Sequence, residues 1–215
     1  MCLNSRVKGI DQATGAAIRS KQFRSGGQIG GLQGMYQSDY DMFFVNHNTS
    51  SSAVTSMPSS GWTWASLLVH CGYAKAEDRY FYCPKQEKAA SLGSLMYSYG
   101  GFYTNLASYF AISLKSNSIQ QWGYARSIMI ADGGMTTSTT GTPYFKMLAT
   151  DAAGSYSRMF TLHESRCNAL FVDGHVSAET VPSIRTNCKA IYYGGVIVPR
   201  TFAIGDLGSC TVLNF

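Results

Sequence analysis

The stretch TLHESRCNALFVDGHVSAE occupies residues 161–179 and contains most of a predicted β-meander. Its apolar residues fall in short runs, and Asp173-Gly174 separates two of these runs, which is typical of a tight turn between antiparallel strands. The segment ESRC would connect the first two strands as a hairpin, and the third strand would return after the turn. The expected strands are 158–163, 168–172 and 175–180.

This prediction places the two polar ends of the meander far apart. A strand rises about 3.3 Å per residue, so His163 and Asp173 would lie at opposite ends of one strand pair. Glycine supplies the positive φ that such a turn requires, which gives Gly174 a structural explanation. His163 would then bind backbone groups at a loop.

Strand patterns continue on both sides of the meander. RSIMIADGG (126–134) is a compact apolar run that ends in a turn, and AIYYGGVIVPRTFAIG (190–205) and SCTVLNF (209–215) supply further strands. RYFYCPK (79–85) predicts a short strand, since Pro84 would end it. These patterns favour a mostly antiparallel sheet.

Helical patterns lie nearer the start of the chain. WTWASLLVHCGYA (62–74) predicts a short helix with Trp62, Leu67 and Leu68 as core anchors. From Leu3 to Ile18, apolar residues recur with the period of an amphipathic helix. The sequence therefore predicts one α+β domain, with an N-terminal helical segment at 1–40 packed on the sheet of a globular region at 41–215.

A cluster of glycines interrupts the N-terminal helical pattern in RSGGQIGGLQG (24–34). Each glycine costs about 1 kcal/mol relative to alanine inside a helix. Either a helix here presents small residues to a neighbouring helix or to the sheet, or the segment is broken between two shorter helices. The glycines four residues apart are Gly26, Gly30 and Gly34, and Gly27 and Gly31.

Charged residues are scarce. They make up 13% of the 215 residues, whereas an average soluble domain contains about 25%. A weakly charged surface opposes self-association less, which favours a secreted or assembling protein. The net charge of +5 is scattered, so no nucleic-acid interface is expected. No apolar run reaches the roughly eighteen residues of a membrane span, so no membrane contact is expected either.

The cysteines are consistent with an oxidising compartment. Their even number permits up to three disulfides, and we expect at least two. No C-x-x-C pair is present, which argues against structural zinc. Buried thiols are the alternative. The candidates are Cys2, Cys71, Cys83, Cys167, Cys188 and Cys210.

The spacing of His163, nine residues, Asp173-Gly174 and then His175 resembles the bacterial prepilin-type H-X9-DG proteins, a pseudopilin-like secreted family. The resemblance implies a pilin-like fold with the N-terminal helix on the sheet. It also implies an extracellular or cell-surface location and a structural, self-assembling subunit of a filament, pseudopilus or surface appendage. Partners would be identical copies in a helical filament, packed through the glycine-rich helix. Further matching pieces are QIGGLQGMYQSDYDMFF (28–44), the tryptophan and Cys-Pro segments at 62–74 and 79–85, YSYGGFYTN (97–105) and RSIMIADGG (126–134).

The chain departs from the family at its start, which reads MCLNSRVKGIDQATG. Family precursors open with a cleavage site and a hydrophobic helix that forms the filament core. The N-terminal contacts are therefore the part of the expected assembly that the resemblance specifies least.

Two chemical alternatives accompany the structural interpretation of the motif. Asp132, Asp173 and His175 could approach one another across strand ends, where carboxylates would suit calcium and histidine with aspartate would suit zinc. A nucleophilic pair could consist of Cys167 with His163 or His175. Because no G-x-S-x-G, H-E-x-x-H or phosphate-binding glycine motif is present, we expect neither catalysis nor a required cofactor.

A ligand-binding module is the functional alternative. In this hypothesis a secreted domain binds carbohydrate or another ligand through aromatic contacts. The stacking residues would be Trp62, Trp64, Tyr97 and Tyr99.

Overall fold

The structure is a computed structural model. It describes residues 27–39, 43–45, 63–82, 99–102, 111–113, 115–136, 141–143, 146–147, 157–161, 163, 165–192, 195–206 and 209–214. In chain order the helices and strands are α1 (27–39), β1 (Phe43–Val45), α2 (Trp64–His70), β2 (Gly100–Phe102), β3 (Ala111–Ser113), α3 (Asn117–Trp122), β4 (Ser127–Ala131), β5 (Gly133–Thr136), β6 (Gly141–Pro143), β7 (Lys146–Met147), β8 (Ser157–Thr161), β9 (Arg166–Phe171), β10 (Val176–Thr180), α4 (Val181–Asn187), β11 (Lys189–Tyr192), β12 (Gly195–Ile197), β13 (Thr201–Asp206) and β14 (Ser209–Asn214).

The largest sheet of the described residues, here the central sheet, is built around β4. All five residues of β4 are buried, as expected for an apolar strand covered on both faces. β9 pairs with one edge of β4, while β11 and β2 share the other edge. β10, β12 and β7 extend the sheet from β9, β11 and β2.

A second sheet, here the outer sheet, has the strand order β14-β13-β8-β5-β6. β1 and β3 form a separate antiparallel pair. Across the described strands, the pairs β4–β11, β2–β7 and β8–β13 are parallel and the others are antiparallel. The α+β class with mostly antiparallel strands is therefore confirmed.

The Asp173-Gly174 turn is confirmed, but the predicted hairpin before it is wrong. β9 and β10 pair antiparallel on either side of the turn. β8, in contrast, lies in the outer sheet between β5 and β13. Both edges of β9 are already occupied by β4 and β10, so β8 has no edge of β9 with which to pair. The chain crosses from one sheet to the other between β8 and β9.

Two layers of apolar side chains cover the two faces of the central sheet. Leu170 in β9 packs in a cluster with Ile29 of α1 and Trp64 of α2. Its neighbour Phe171 packs in a second cluster with Phe202 of the outer sheet. Side chains alternate between the two faces along a strand, so α1 and α2 cover one face of the central sheet, and the outer sheet together with α4 packs on the other.

The described part of the glycine-rich segment is helical, since α1 runs unbroken through 27–39. The predicted helix from Leu3 to Ile18 lies outside the described residues. No helix in the described part of the chain has the length and hydropathy needed to cross a membrane.

The predicted helix in 62–74 is confirmed as α2, which Thr63 caps by accepting from the Ser66 amide. Leu67 and Leu68 are buried as expected, and Trp62 lies outside the described residues.

The strand predicted in RYFYCPK is wrong, because Arg79–Phe81 forms a 3-10 turn. The Asp78 carboxylate accepts from the Lys75 amide at 2.8 Å and from the Tyr80 hydroxyl at 2.6 Å. Such side-chain bonds to nearby groups favour a tight turn over an extended strand.

The expectation of at least two disulfides is not met by the described cysteines. Cys71, Cys167, Cys188 and Cys210 form no disulfide. Because only Cys2 and Cys83 lie outside the described residues, two disulfides cannot form in this structure. Cys167, Cys188 and Cys210 are buried among apolar side chains, where cysteine behaves as a small hydrophobic residue.

Candidate functional site at the two ends of strand β9

One end of β9 carries a buried polar corner formed by His163 and Asp132. His163 Nε2 lies 3.2 Å from Asp132 Oδ2, and the two side chains are only 3% and 5% exposed. The same carboxylate oxygen accepts from the Asn168 amide at 2.8 Å. The Asp132 amide donates to the Asn168 carbonyl, and the Phe160 amide donates to the Asp132 carbonyl, each over 2.9 Å. Asp132 thus joins strands of both sheets.

The position of the pair follows from the topology. Asp132 is the single residue between β4 of the central sheet and β5 of the outer sheet. His163 lies on the opposite crossing, from β8 to β9, where it exchanges two backbone hydrogen bonds of 3.1 Å with Arg166. Ser165 completes this turn with a positive φ of 63°. The contact between His163 and Asp132 therefore joins the two points at which the chain changes sheets.

Cys167 lies beside this corner, buried among apolar side chains. It is fully buried, and its thiol donates weakly to the carbonyls of Asp132 and Asn168 at 3.7 and 3.6 Å. Burial, reinforced by the nearby Asp132 charge, raises the pKa of Cys167 well above its ordinary value. A cysteine nucleophile needs the opposite shift. The geometry therefore does not support the proposed Cys–His pair.

The other end of β9 is the Asp173-Gly174 turn. Gly174 has a φ of 87°, the left-handed region in which glycine avoids steric strain, and its amide donates to the Phe171 carbonyl at 2.9 Å. His175 Nδ1 lies 2.6 Å from Asp173 Oδ1, with both side chains more than a third exposed. The His175 ring stacks on Phe171 at a centroid distance of 4.2 Å and an interplanar angle of 7°.

The residues suggested for a metal site are distributed between these two ends. Asp173 and His175 contact each other at the turn, whereas Asp132 contacts His163 at the corner. Among the residues that the structure describes, no three His, Cys, Asp or Glu side chains are grouped closely enough to hold a metal ion. The suggested trio therefore does not form one site.

Helix α1 packs against the Asp173-Gly174 turn. A Cβ built on Gly30 would lie 3.0 Å from the Gly174 carbonyl oxygen and 3.1 Å from Leu170 Cδ1, so only glycine permits this approach without displacement. Gly27, Gly31 and Gly34, in contrast, have no neighbour within 4 Å of a built Cβ among the residues that the structure describes. Gly26 lies outside the described residues. The described glycines thus lie on two different faces of α1: Gly30 contacts the turn, and the other three do not.

Trp64 is a core residue, and its interpretation as a ligand-stacking group is wrong. It is fully buried, and its Nε1 donates to the Tyr99 carbonyl at 2.8 Å. A Cβ on Gly101 would lie 3.0 Å from the indole ring, so glycine is needed where the ring meets β2. Tyr99 is half-buried. The other two proposed stacking residues, Trp62 and Tyr97, lie outside the described residues.

Asn168 is the residue that the sequence analysis missed. Its backbone holds Asp132, and its side chain lies on the same face of β9 as Leu170. The available signal was a polar residue at a position where the alternation of NALFVD places a side chain against the core.

Comparison with known proteins identifies no relative of this chain. No family model, no curated protein and no solved structure matches this chain. The functional proposal therefore depends on the geometry of the described residues and on the resemblance of the motif.

Proposed function

We propose that this chain is a structural subunit that self-assembles into an extracellular filament, pseudopilus or surface appendage through the outer face of α1. The observation that carries the proposal is the composition of that face. Among the described residues, no atom lies within 4 Å of a Cβ built on Gly27, Gly31 or Gly34, and Met35 beside them is 54% exposed. The opposite face of the helix is packed against the central sheet through Ile29 and Gly30.

Glycine on an exposed helix face has no benefit for an isolated subunit. Each one costs about 1 kcal/mol relative to alanine, and at these three positions no neighbour in the described part of the chain requires its small size. A second helix could pack closely against this face, since small residues allow two backbones to come close together. The low charge of the whole chain reduces the repulsion between identical copies.

The resemblance to H-X9-DG proteins supports the same assignment. Pieces of the motif that are distant in sequence meet in space: Gly30 lies on Gly174, and Asp132 contacts His163. A helix that packs on a mostly antiparallel sheet is the arrangement expected for a pilin-like head. The motif therefore maintains the shape that presents the outer face of α1.

Electron microscopy and sedimentation of the untagged protein at several concentrations test this proposal. Wild type is expected to form regular fibres. The variant Gly31→Leu/Gly34→Leu places two large side chains on the outer face and should stay dispersed, because the helices could no longer approach closely.

The matched control is Gly31→Ala/Gly34→Ala, which adds only a methyl group at each position. It should keep the fibres, and both variants should retain the wild-type circular dichroism spectrum, because the added atoms enter open space. Fibres from the leucine variant that match those of wild type, or a wild type that stays monomeric at every concentration, would contradict assembly through α1.

A further inference from the structure

The packed face of α1 carries two glutamines. Gln33 lies four residues after Ile29 and four before Gln37, so all three share the side of the helix that packs on the central sheet. Gln33 is fully buried, and Gln37 is 8% exposed. Glutamine is mostly an exposed residue in folded proteins, so two buried ones on a single helix face need an explanation.

The side-chain amide of Gln33 is not hydrogen-bonded. Neither its Nε2 nor its Oε1 has a partner among the residues that the structure describes. Gln37 Nε2 donates to Met129 Sδ over 3.7 Å, and a thioether is a weak acceptor. Burying these groups destabilises the docked helix, because in water each amide would be fully hydrogen-bonded. Both amides recover those bonds when α1 leaves the sheet.

The rest of α1 offsets this cost only in part. Its buried side chains, apart from the two glutamines, are those of Ile29 and Tyr36. Its glycines without a described neighbour further lower the stability of the helix itself. β4 beneath it, in contrast, has all five residues buried and is paired along both edges. The central sheet should therefore keep its structure under conditions in which α1 does not.

We propose that α1 is a releasable lid, which opens from the central sheet as a unit while both sheets stay folded. Opening uncovers the part of the apolar face that includes Ile130 and Leu170, which pack in one cluster with Ile29. Such sub-global opening requires less free energy than unfolding of the whole molecule. The inference does not rest on assembly through the outer face of α1, because it concerns the opposite, packed face.

Hydrogen–deuterium exchange of the full-length protein, at a concentration at which it is dispersed, tests the inference. The amides of residues 31–39 are compared with those of β4, since the first four amides of a helix have no intrahelical partner. In wild type, the α1 amides should share one exchange rate after correction for intrinsic rates. That rate should be at least about tenfold faster than the rate of the β4 amides, because opening of α1 leaves β4 paired.

The variant Gln33→Met tests whether the buried amide is the cause. Methionine keeps an unbranched side chain and a similar helix propensity but has no amide to desolvate. Exchange of the α1 amides should become slower by about fivefold or more, because the docked helix no longer buries unpaired polar atoms. Gln28→Met is the matched control, since Gln28 is exposed, and it should leave exchange within about twofold of wild type.

The variant Ile184→Val tests whether α1 opens independently of the sheets. Ile184 is fully buried in the cluster on the other side of the central sheet. Its truncation destabilises the closed molecule and the molecule with α1 released to the same extent. Exchange of β4 should therefore become faster by about threefold to tenfold, whereas exchange of α1 should not change.

Three outcomes would overturn the inference. They are equal exchange of α1 and β4 in wild type, exchange of α1 that Gln33→Met does not slow, and acceleration of α1 by Ile184→Val that equals that of β4. Circular dichroism of each variant verifies that it is folded. If Gln33→Met does not fold, the comparison of α1 with β4 in wild type and in Ile184→Val still decides whether α1 opens alone.

Discussion

His163 and Asp173-Gly174 mark the two ends of one strand, which explains the nine-residue spacing between them. β9 occupies six of the intervening positions, with the corner before it and the turn after it. His163 pairs with Asp132 at the corner, and Gly174 accepts the close approach of Gly30 at the turn. His163 and Gly174 thus each make a contact with a distant part of the chain.

The side chains of His163 and Asp132 should be energetically coupled. His163→Leu removes the buried partner of the Asp132 carboxylate, so we expect it to destabilise the fold by about 3 kcal/mol. Asp132→Asn should also destabilise it, and the double variant should cost less than the sum of the two by about 1–3 kcal/mol. Urea unfolding of the four proteins gives this coupling energy.

The exposed pair at the other end of β9 provides the control. The same cycle on Asp173→Asn and His175→Leu should give a coupling below about 1 kcal/mol, because solvent screens these half-exposed groups. Equal coupling at the two ends would show that burial of the corner does not matter.

The turn residues were predictable from sequence, whereas the corner was not. Asp-Gly specifies a local backbone conformation, so Gly174 could be assigned without knowing the fold. The contact of His163 with Asp132 depends on which sheet each neighbouring strand joins, and the apolar patterns of β8 and β9 are equally compatible with a hairpin. Local pattern cannot choose between two partners for the same strand edge.

At the scale of a whole element, helix α1 also shows that local sequence does not specify long-range contacts. The spacing of its glycines predicted close packing, but every glycine looks alike in sequence. The structure separates Gly30, which touches the turn, from Gly31, which faces open space. One helix therefore uses the same residue type for internal packing and, in our proposal, for contact with another subunit.

Two neighbouring substitutions in α1 should have opposite effects on stability. Gly30→Leu must displace the Gly174 carbonyl or Leu170, so we expect it to destabilise the fold by about 1–3 kcal/mol. Gly31→Leu meets no neighbour and replaces a poor helix former, so it should stabilise the fold by up to about 1 kcal/mol. Thermal unfolding of the dispersed proteins measures both. A Gly30 variant as stable as the Gly31 variant would mean that α1 does not pack on the turn.

At the scale of the molecule, the described residues are layered: α1 and α2 lie on one face of the central sheet, and the outer sheet and α4 lie on the other. Cys167 and Cys188 lie in the apolar cluster between the two sheets, and Cys210 lies in a smaller cluster with Phe160 and Ala203. In these positions the thiols contribute apolar volume to the layered core. Their chemistry consequently links the stability of the whole fold to pH.

Burial raises the pKa of Cys188 to about 11, with the nearby Glu179 charge acting in the same direction. Burial also raises the pKa of Cys210 and Cys167. In the unfolded chain a thiol loses its proton near pH 8.5, roughly 2.5 units below the pKa of Cys188 in the folded protein. Between these values the folded state binds more protons than the unfolded state, so stability must fall as pH rises. Below the unfolded pKa the thiols contribute no pH dependence.

The variant Cys188→Ala isolates this contribution from other groups that titrate in the same range. Its loss of volume should lower stability equally at every pH, whereas its loss of the thiol should make the decline above about pH 9 shallower, by up to about 1.4 kcal/mol per pH unit. Urea unfolding of both proteins from about pH 7 to about pH 10.5 measures the two slopes, since this window spans the unfolded thiol pKa. Parallel slopes would mean that Cys188 titrates in the folded protein as it does in the unfolded chain, and therefore that solvent reaches the layer between the two sheets.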